Sequence, residues 1–142
     1  HQLQRLPDSL LITKLDAEIL SGMSELYETF RGLMGSNEKD SNRWVFASKM
    51  CARKRPQLFP VRDNKVCQYL AAGNGLGTKP GQLGQFDRDI QVFAYLMTCH
   101  DIRERLTEIN TELAAANPET DAIERFDLRL LDVALWTAAN PS

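Results

Sequence analysis

Residues 43–65 read RWVFASKMCARKRPQLFPVRDNK, and this stretch sets the pattern for the rest of the chain. Apolar residues spaced three and four apart predict a helix up to Pro56, because proline cannot continue a helix and the residue before it avoids the helical region. Pro56 and Pro60 bracket an extended connector. Asp63 is placed to cap a further helix, NKVCQYLAA. The stretch therefore predicts two helices joined by a rigid turn.

The charge of the same stretch is uneven. It carries seven basic side chains against one acid, so the segment is about +6 in a chain of net charge −2. Such an excess indicates either a binding surface for anions or a solvated helix face with a partner elsewhere in the fold. Five of these residues lie at the end of the helix before Pro56 or shortly after it. Together they are candidates for contact with an anion, a nucleic acid or an acidic protein surface: Arg53, Lys54, Arg55, Arg62 and Lys65.

Towards the N-terminus, residues 16–34 repeat apolar side chains at helical spacing, with Asp16 as the expected N-cap and Gly35 at the C-terminal end. Ser41 or Asn42 is placed to cap the helix of the opening stretch. Residues 1–15 are weakly patterned and indicate a short strand or an extended lead-in.

Towards the C-terminus, residues 73–85 hold five of the eight glycines and predict a loop. Residues 87–117 are helical in pattern with a break near His100, where Asp101 is the expected N-cap and the histidine is read as a junction or partly buried structural residue. Asp127 is the expected cap of the last helix.

These elements predict an all-α fold: a compact bundle of about five to seven helices in which residues 1–142 form a single domain. The bundle needs a core of large apolar side chains from every helix. The residues expected there are Leu26, Phe30, Trp44, Val66, Leu70, Phe93, Leu96, Leu106, Leu131 and Trp136.

Composition excludes several classes of protein. No apolar run approaches the ~20 residues of a membrane span, and the first residues lack the apolar core of a signal peptide, so we expect a cytoplasmic protein. Three cysteines far apart favour free thiols over a disulfide. Two histidines and no CxxC or HExxH motif argue against a metal site, and no motif points to a cofactor.

Asp63 and Lys49 are the candidate catalytic residues. An aspartate at a helix start accepts hydrogen bonds from backbone N–H groups, which contributes about 1 kcal/mol and favours its charged form. A carboxylate kept ionised there can equally stabilise a developing cation or orient a water molecule. Nothing local distinguishes the cap from the catalyst.

The segments ASKMCARKRPQLFPVRDNKV and LRLLDVALW resemble an uncharacterised bacterial domain family, whose members share a core similar to ASK-LLARKRP-L-PVYD--V and a later LR-LD-ALW. The order and spacing of the two segments imply that most of the chain belongs to it. The resemblance brings no activity with it.

FPVRDNKV also resembles a segment of helix-hairpin-helix DNA glycosylases, in which an aspartate caps a helix and assists base excision. That resemblance implies a catalytic role for Asp63 and for Lys49, which stands near the place of the family's helix lysine. The hairpin's glycine pattern is absent before Lys49, and Arg62 is an additional residue before the aspartate.

Two functional hypotheses follow. One is a nucleic-acid-associated protein with a glycosylase-like scaffold that uses residues 43–65 as its electrostatic footprint. The other is a non-enzymatic interaction module whose basic surface docks an acidic partner. A sequence pI near 5.7 weighs against avid duplex binding, because the acidic remainder repels the phosphate backbone.

Overall fold

The computed structural model describes residues 2–34, 40–71 and 85–141. These residues form α-helices and two short 3-10 helices and no strand, which confirms the all-α class. The helices are α1 (Gln2–Arg5), α2 (Ala17–Gly32), α3 (Asp40–Lys54), α4 (Asn64–Ala71), α5 (Gln85–Thr98), α6 (His100–Ala116) and α7 (Asp127–Ala139), and the 3-10 helices are Ile12–Lys14 and Ala122–Arg125.

Several helix boundaries follow the predicted signals. Asp16 caps α2, accepting a hydrogen bond from the Ile19 backbone N–H at 2.7 Å. α3 ends at Lys54, two residues before Pro56, and the break between α5 and α6 falls at Cys99.

Other boundary predictions were wrong. Ser41 and Asn42 lie inside α3, which begins at Asp40, so neither occupies the N-cap position. Cys99 and Phe126 occupy the N-cap positions of α6 and α7, so Asp101 and Asp127 lie within the first turns of these helices. The carboxylates still complement the positive end of each helix dipole from these positions.

The lead-in, which is described from residue 2 to residue 15, is neither a strand nor extended throughout. It forms α1 and the 3-10 helix Ile12–Lys14, and it buries Leu6 and Ile12 in the core. A Cβ atom at Gly22 would lie 3.2 Å from Leu6 Cδ2, so the glycine permits the close approach of Leu6, the residue after α1, to α2. Residues 73–84 of the loop predicted over 73–85 and Gly35 lie outside the described residues, and Gln85 begins α5.

The core lies between two groups of helices. α2 packs against α1, α3 and α5, while α7 packs against α4 and α6, and α5 also contacts α6 and the 3-10 helix Ile12–Lys14. Six of the predicted core residues are buried and three more are partly buried against them; the buried six are Leu26, Trp44, Val66, Phe93, Leu106 and Leu131.

Trp136 is the core prediction that was wrong. Its side chain is 54% exposed, and Val133, one turn earlier on α7, is exposed as well. The inward face of α7 is formed by Leu128, Leu130 and Leu131 instead. Within the described ranges, no helix is both long and apolar enough to cross a membrane.

This burial pattern predicts unequal costs for two aromatic truncations. Trp136→Ala should lower the free energy of unfolding by about 1 kcal/mol or less, because the ring already contacts water. Phe93→Ala, at a site that is 1% exposed, should cost about 3–5 kcal/mol. Urea unfolding followed by circular dichroism measures both values. Equal losses in the two variants would contradict the exposed position of Trp136.

Candidate functional site

Arg62 does not lie on the surface, which corrects its assignment as an anion-binding group. Its side chain is 4% exposed and pairs with Asp89 of α5, which is 3% exposed. Arg62 donates from Nη2 and Nε to Asp89 Oδ2, at 2.6 and 3.0 Å. The positive charge of Arg62, which the sequence analysis assigned to anion binding, is therefore neutralised inside the protein.

Three aromatic rings surround the Arg62 guanidinium. Its Cζ atom lies 5.4 Å from the ring centroid of Tyr27, 5.2 Å from that of Trp44 and 5.1 Å from that of Phe86. Tyr27 and Phe86 also stack on each other, with centroids 4.4 Å apart. The electron-rich ring faces attract the cation and offset part of its lost hydration. We call Arg62, Asp89 and the three rings the arginine cage.

Arg55 is also committed to internal contacts, so it too is not the free surface cation that the sequence predicted. Its guanidinium donates to the backbone oxygens of Leu6 and, at 2.9 Å, of Leu3, and it pairs with Asp8 at 2.8 Å. These contacts attach α1 and the segment after it to the end of α3. Loss of Arg55 would free the N-terminal segment as well as remove a charge.

Four cations of the stretch remain exposed: Lys49, Arg53, Lys54 and Lys65. None of them forms an ion pair or a side-chain hydrogen bond with a residue in the described ranges. Lys49 and Arg53 stand one turn apart on α3, and Lys54 follows at its end. We call Lys49, Arg53 and Lys54 the cationic face of α3.

Asp63 lies at the start of α4 as a cap. Its Oδ1 accepts a hydrogen bond from the Val66 backbone N–H at 2.8 Å. No hydrogen bond or ion pair joins it to Lys49, although both residues belong to the described part of the chain. The structure accounts for Asp63 by helix capping, and a catalytic role for either residue stays a prediction.

Arg129 and Asp132 form a second internal clamp, which the sequence reasoning missed. Arg129 Nη2 lies 2.8 Å from Asp132 Oδ2 and donates to the Phe59 backbone oxygen, while Asp132 Oδ1 accepts from the Val61 backbone N–H at 3.0 Å. The clamp therefore joins LRLLDVALW to LFPVRD. An arginine three residues before an aspartate on an apolar helix was the available signal.

Asp132 has an unusual protonation equilibrium. Burial raises the pKa of this carboxyl to about 7, against the Arg129 guanidinium and the Val61 N–H, which both lower it. The nearby Asp63 carboxylate adds a smaller upward effect on the same pKa. A carboxyl that titrates near neutral pH often marks a functional site, but here both of its partners are structural.

The cysteines are free, as predicted. Cys51 and Cys67 are buried and Cys99 is half-buried. Burial raises the pKa of the Cys51 and Cys67 thiols to about 12. Because the thiolate is the nucleophile, these two side chains are not candidates for covalent chemistry.

His100 was correctly placed at a helix junction, but its side chain is exposed rather than partly buried. Its Nδ1 lies 3.6 Å from Asp101 Oδ1 and 3.9 Å from Glu104 Oε2, a cluster whose ligand atoms are close enough for a metal ion. All three side chains are solvated, and no second feature points to an ion here. We assign no metal site to them.

The chain belongs to the family of unknown function DUF6308, whose model matches residues 1–139. The match agrees with the resemblance to an uncharacterised domain family. No curated protein and no solved structure matches the chain.

The arginine cage predicts a large stability loss when its cation alone is removed. Arg62→Met leaves the Asp89 carboxylate buried without a counter-charge, which should cost about 3–5 kcal/mol in free energy of unfolding. The double variant Arg62→Met/Asp89→Leu should recover much of that loss, because the uncompensated charge is gone. Arg53→Met, at an exposed position of α3, is the matched control and should change the free energy of unfolding by about 0.5 kcal/mol or less. Denaturant midpoints as low in the double variant as in Arg62→Met would contradict the pairing.

The Asp132 carboxyl predicts a pH dependence of stability. Its folded pKa of about 7 exceeds the ordinary value of 3.8, so the folded state binds more protons between these values. Its contribution to stability therefore falls as pH rises from about 4 to about 7, on the order of 1 kcal/mol per pH unit, and then levels off. Asp132→Asn keeps an oxygen for the Val61 N–H but cannot titrate. The variant should gain stability relative to the parent as pH rises through this window, and parallel profiles would refute the assignment.

Proposed function

We propose that this protein is a non-enzymatic interaction module that docks an acidic protein surface through the cationic face of α3. The observation that supports the proposal is the contrast within one basic stretch. Arg62 and Arg55 are consumed by internal pairs, whereas Lys49, Arg53 and Lys54 are exposed and pair with no residue in the described ranges. A charged group without an internal partner is available to an external one.

The arrangement suits a local acidic patch better than a nucleic-acid duplex. A duplex presents charge along its whole length, so contact with three cations also brings phosphates near the rest of the chain. That remainder is negative, because the whole chain carries a net charge of −2. An acidic protein surface of limited extent meets the cationic face without this repulsion and gains rate and specificity from charge complementarity.

The nucleic-acid hypothesis rests chiefly on Asp63 and its resemblance to the glycosylase segment. In this structure the Asp63 carboxylate is occupied at the first turn of α4, and Arg62, the adjacent cation of the same segment, faces Asp89. The interaction module requires neither residue at the surface. It is therefore the function that the geometry supports better.

Fluorescence anisotropy with two labelled probes, an oligoglutamate peptide and a short DNA duplex, tests the proposal. The peptide should bind at low salt and lose affinity as salt increases, since screening weakens exposed charge pairs. Lys49→Ala/Arg53→Ala should weaken peptide binding about tenfold while the melting temperature stays near that of the parent.

Arg5→Ala/Arg105→Ala is the matched control. It removes the same charge from two exposed cations on α1 and α6, whose surface ion pairs contribute little to stability. Equal weakening by both double variants would show a net-charge effect and refute the α3 assignment. Tighter binding of the duplex than of the peptide, lost in the α3 variant, would favour nucleic acid instead.

A further inference from the structure

A cleft of about 670 Å³ has none of the basic side chains of residues 43–65 in its lining and was not foreseen from the sequence. Its walls come from four parts of the chain: residues 11–14, Gln57, residues of α5 and α6 between 97 and 110, and residues 125–128. Clefts that bind small molecules typically enclose about 300–1,000 Å³, so the volume suits a ligand of mononucleotide size. We call it the basic cleft, after the side chains described next.

Three cations line the basic cleft: Lys14, Arg103 and Arg125. Among the described side chains the lining holds one carboxylate, Asp127, which leaves an excess of about two positive charges among them. None of the three cations forms an ion pair with a residue in the described ranges. A concave wall with unpaired charges of one sign concentrates anions of the opposite sign.

Two polar atoms at the basic cleft are buried without a hydrogen-bond partner among the described residues, Arg125 Nε and Asn110 Oδ1. Buried polar atoms are normally satisfied by protein or by a bound molecule, because leaving them unpaired costs free energy. No side-chain hydrogen bond or ion pair joins the Arg125 guanidinium to a residue in the described ranges. Its Nη groups, rather than the buried Nε, remain available for a two-pronged contact with an oxyanion.

The start of α7 adds backbone donors to the same wall. Phe126, at the N-cap, makes no side-chain capping bond, and Phe126, Asp127 and Leu128 all line the basic cleft. The first N–H groups of a helix lack intrahelical partners, and the helix dipole favours negative charge there. Asp127 supplies some of that charge, and the three cations outweigh it.

We propose that the basic cleft binds a phosphate monoester of a small polar molecule. A phosphate monoester carries nearly two negative charges near neutral pH and so matches the excess of about two positive charges. A ligand with a single carboxylate would balance only half of that excess. The amide of Asn110 offers hydrogen bonds to the organic part, while the buried side chains of Ile12 and Met97 provide apolar contact. The proposal is independent of the cationic face of α3, which lies on another element.

Isothermal titration calorimetry of the full chain tests the assignment with four probes: AMP, ribose 5-phosphate, inorganic phosphate and adenosine. The two esters should bind, inorganic phosphate should bind more weakly than either, and adenosine should release no binding heat. Lys14→Ala/Arg103→Ala should weaken AMP binding at least about tenfold. Each substitution removes a hydrogen bond between charged groups, and such bonds contribute more to affinity than neutral hydrogen bonds do.

Both substituted side chains are exposed, so the variant should fold, and its melting temperature without ligand checks this. Lys49→Ala/Arg53→Ala is the charge-matched control and should bind AMP as the parent does. The proposal is overturned if no phosphate probe binds, if the two double variants lose affinity equally, or if adenosine binds as tightly as AMP. Failure of oligoglutamate binding with intact AMP binding would refute the α3 module and leave the cleft standing.

Discussion

The ion pair between Arg62 and Asp89 is the interaction on which the rest of the structure depends. Arg62 belongs to the connector between α3 and α4, and Asp89 belongs to α5. The pair therefore fixes this connector to α5 across the core. The rings around it come from α2, α3 and α5. Because both charges are removed from water, separating them would leave two groups with neither hydration nor a partner. The surrounding elements are therefore held in one arrangement.

Further arginines extend the same principle along the connector and beyond it. Arg129 and Asp132 hold the backbone at Phe59 and Val61 to α7, and Arg55 holds the N-terminal segment to the end of α3. A connector without regular secondary structure leaves backbone groups that need partners, and these side chains supply them. The two segments that carry the family resemblance are thus joined by direct contacts. Their residue pattern is explained by structure before any ligand is invoked.

The division of charge between interior and surface shapes the two functional proposals. The cationic face of α3 is a convex helix surface, which suits another protein. The basic cleft is concave and combines cations, unpaired polar atoms and apolar floor residues, which suits a small molecule. The two surfaces use different side chains, Lys49 and Arg53 against Lys14 and Arg103, so substitutions in one leave the other intact.

The sequence by itself determined the all-α class, the cap at Asp16, the end of α3 before Pro56 and the break near His100, because helix periodicity and capping depend on residues within a few positions. It did not determine whether the Arg62 side chain points into the core or into solvent. The segment after Pro60 is not helical, so it has no periodicity from which a buried face can be predicted. The sequence also placed Trp136 wrongly in the core. Helix α7 carries apolar residues on more than one side, and the helices packed against it determine which side is buried. The basic cleft required tertiary structure altogether. Residues 11–14 lie more than 80 residues before Met97 in the chain, and only packing brings Lys14, Arg103 and Arg125 to one surface.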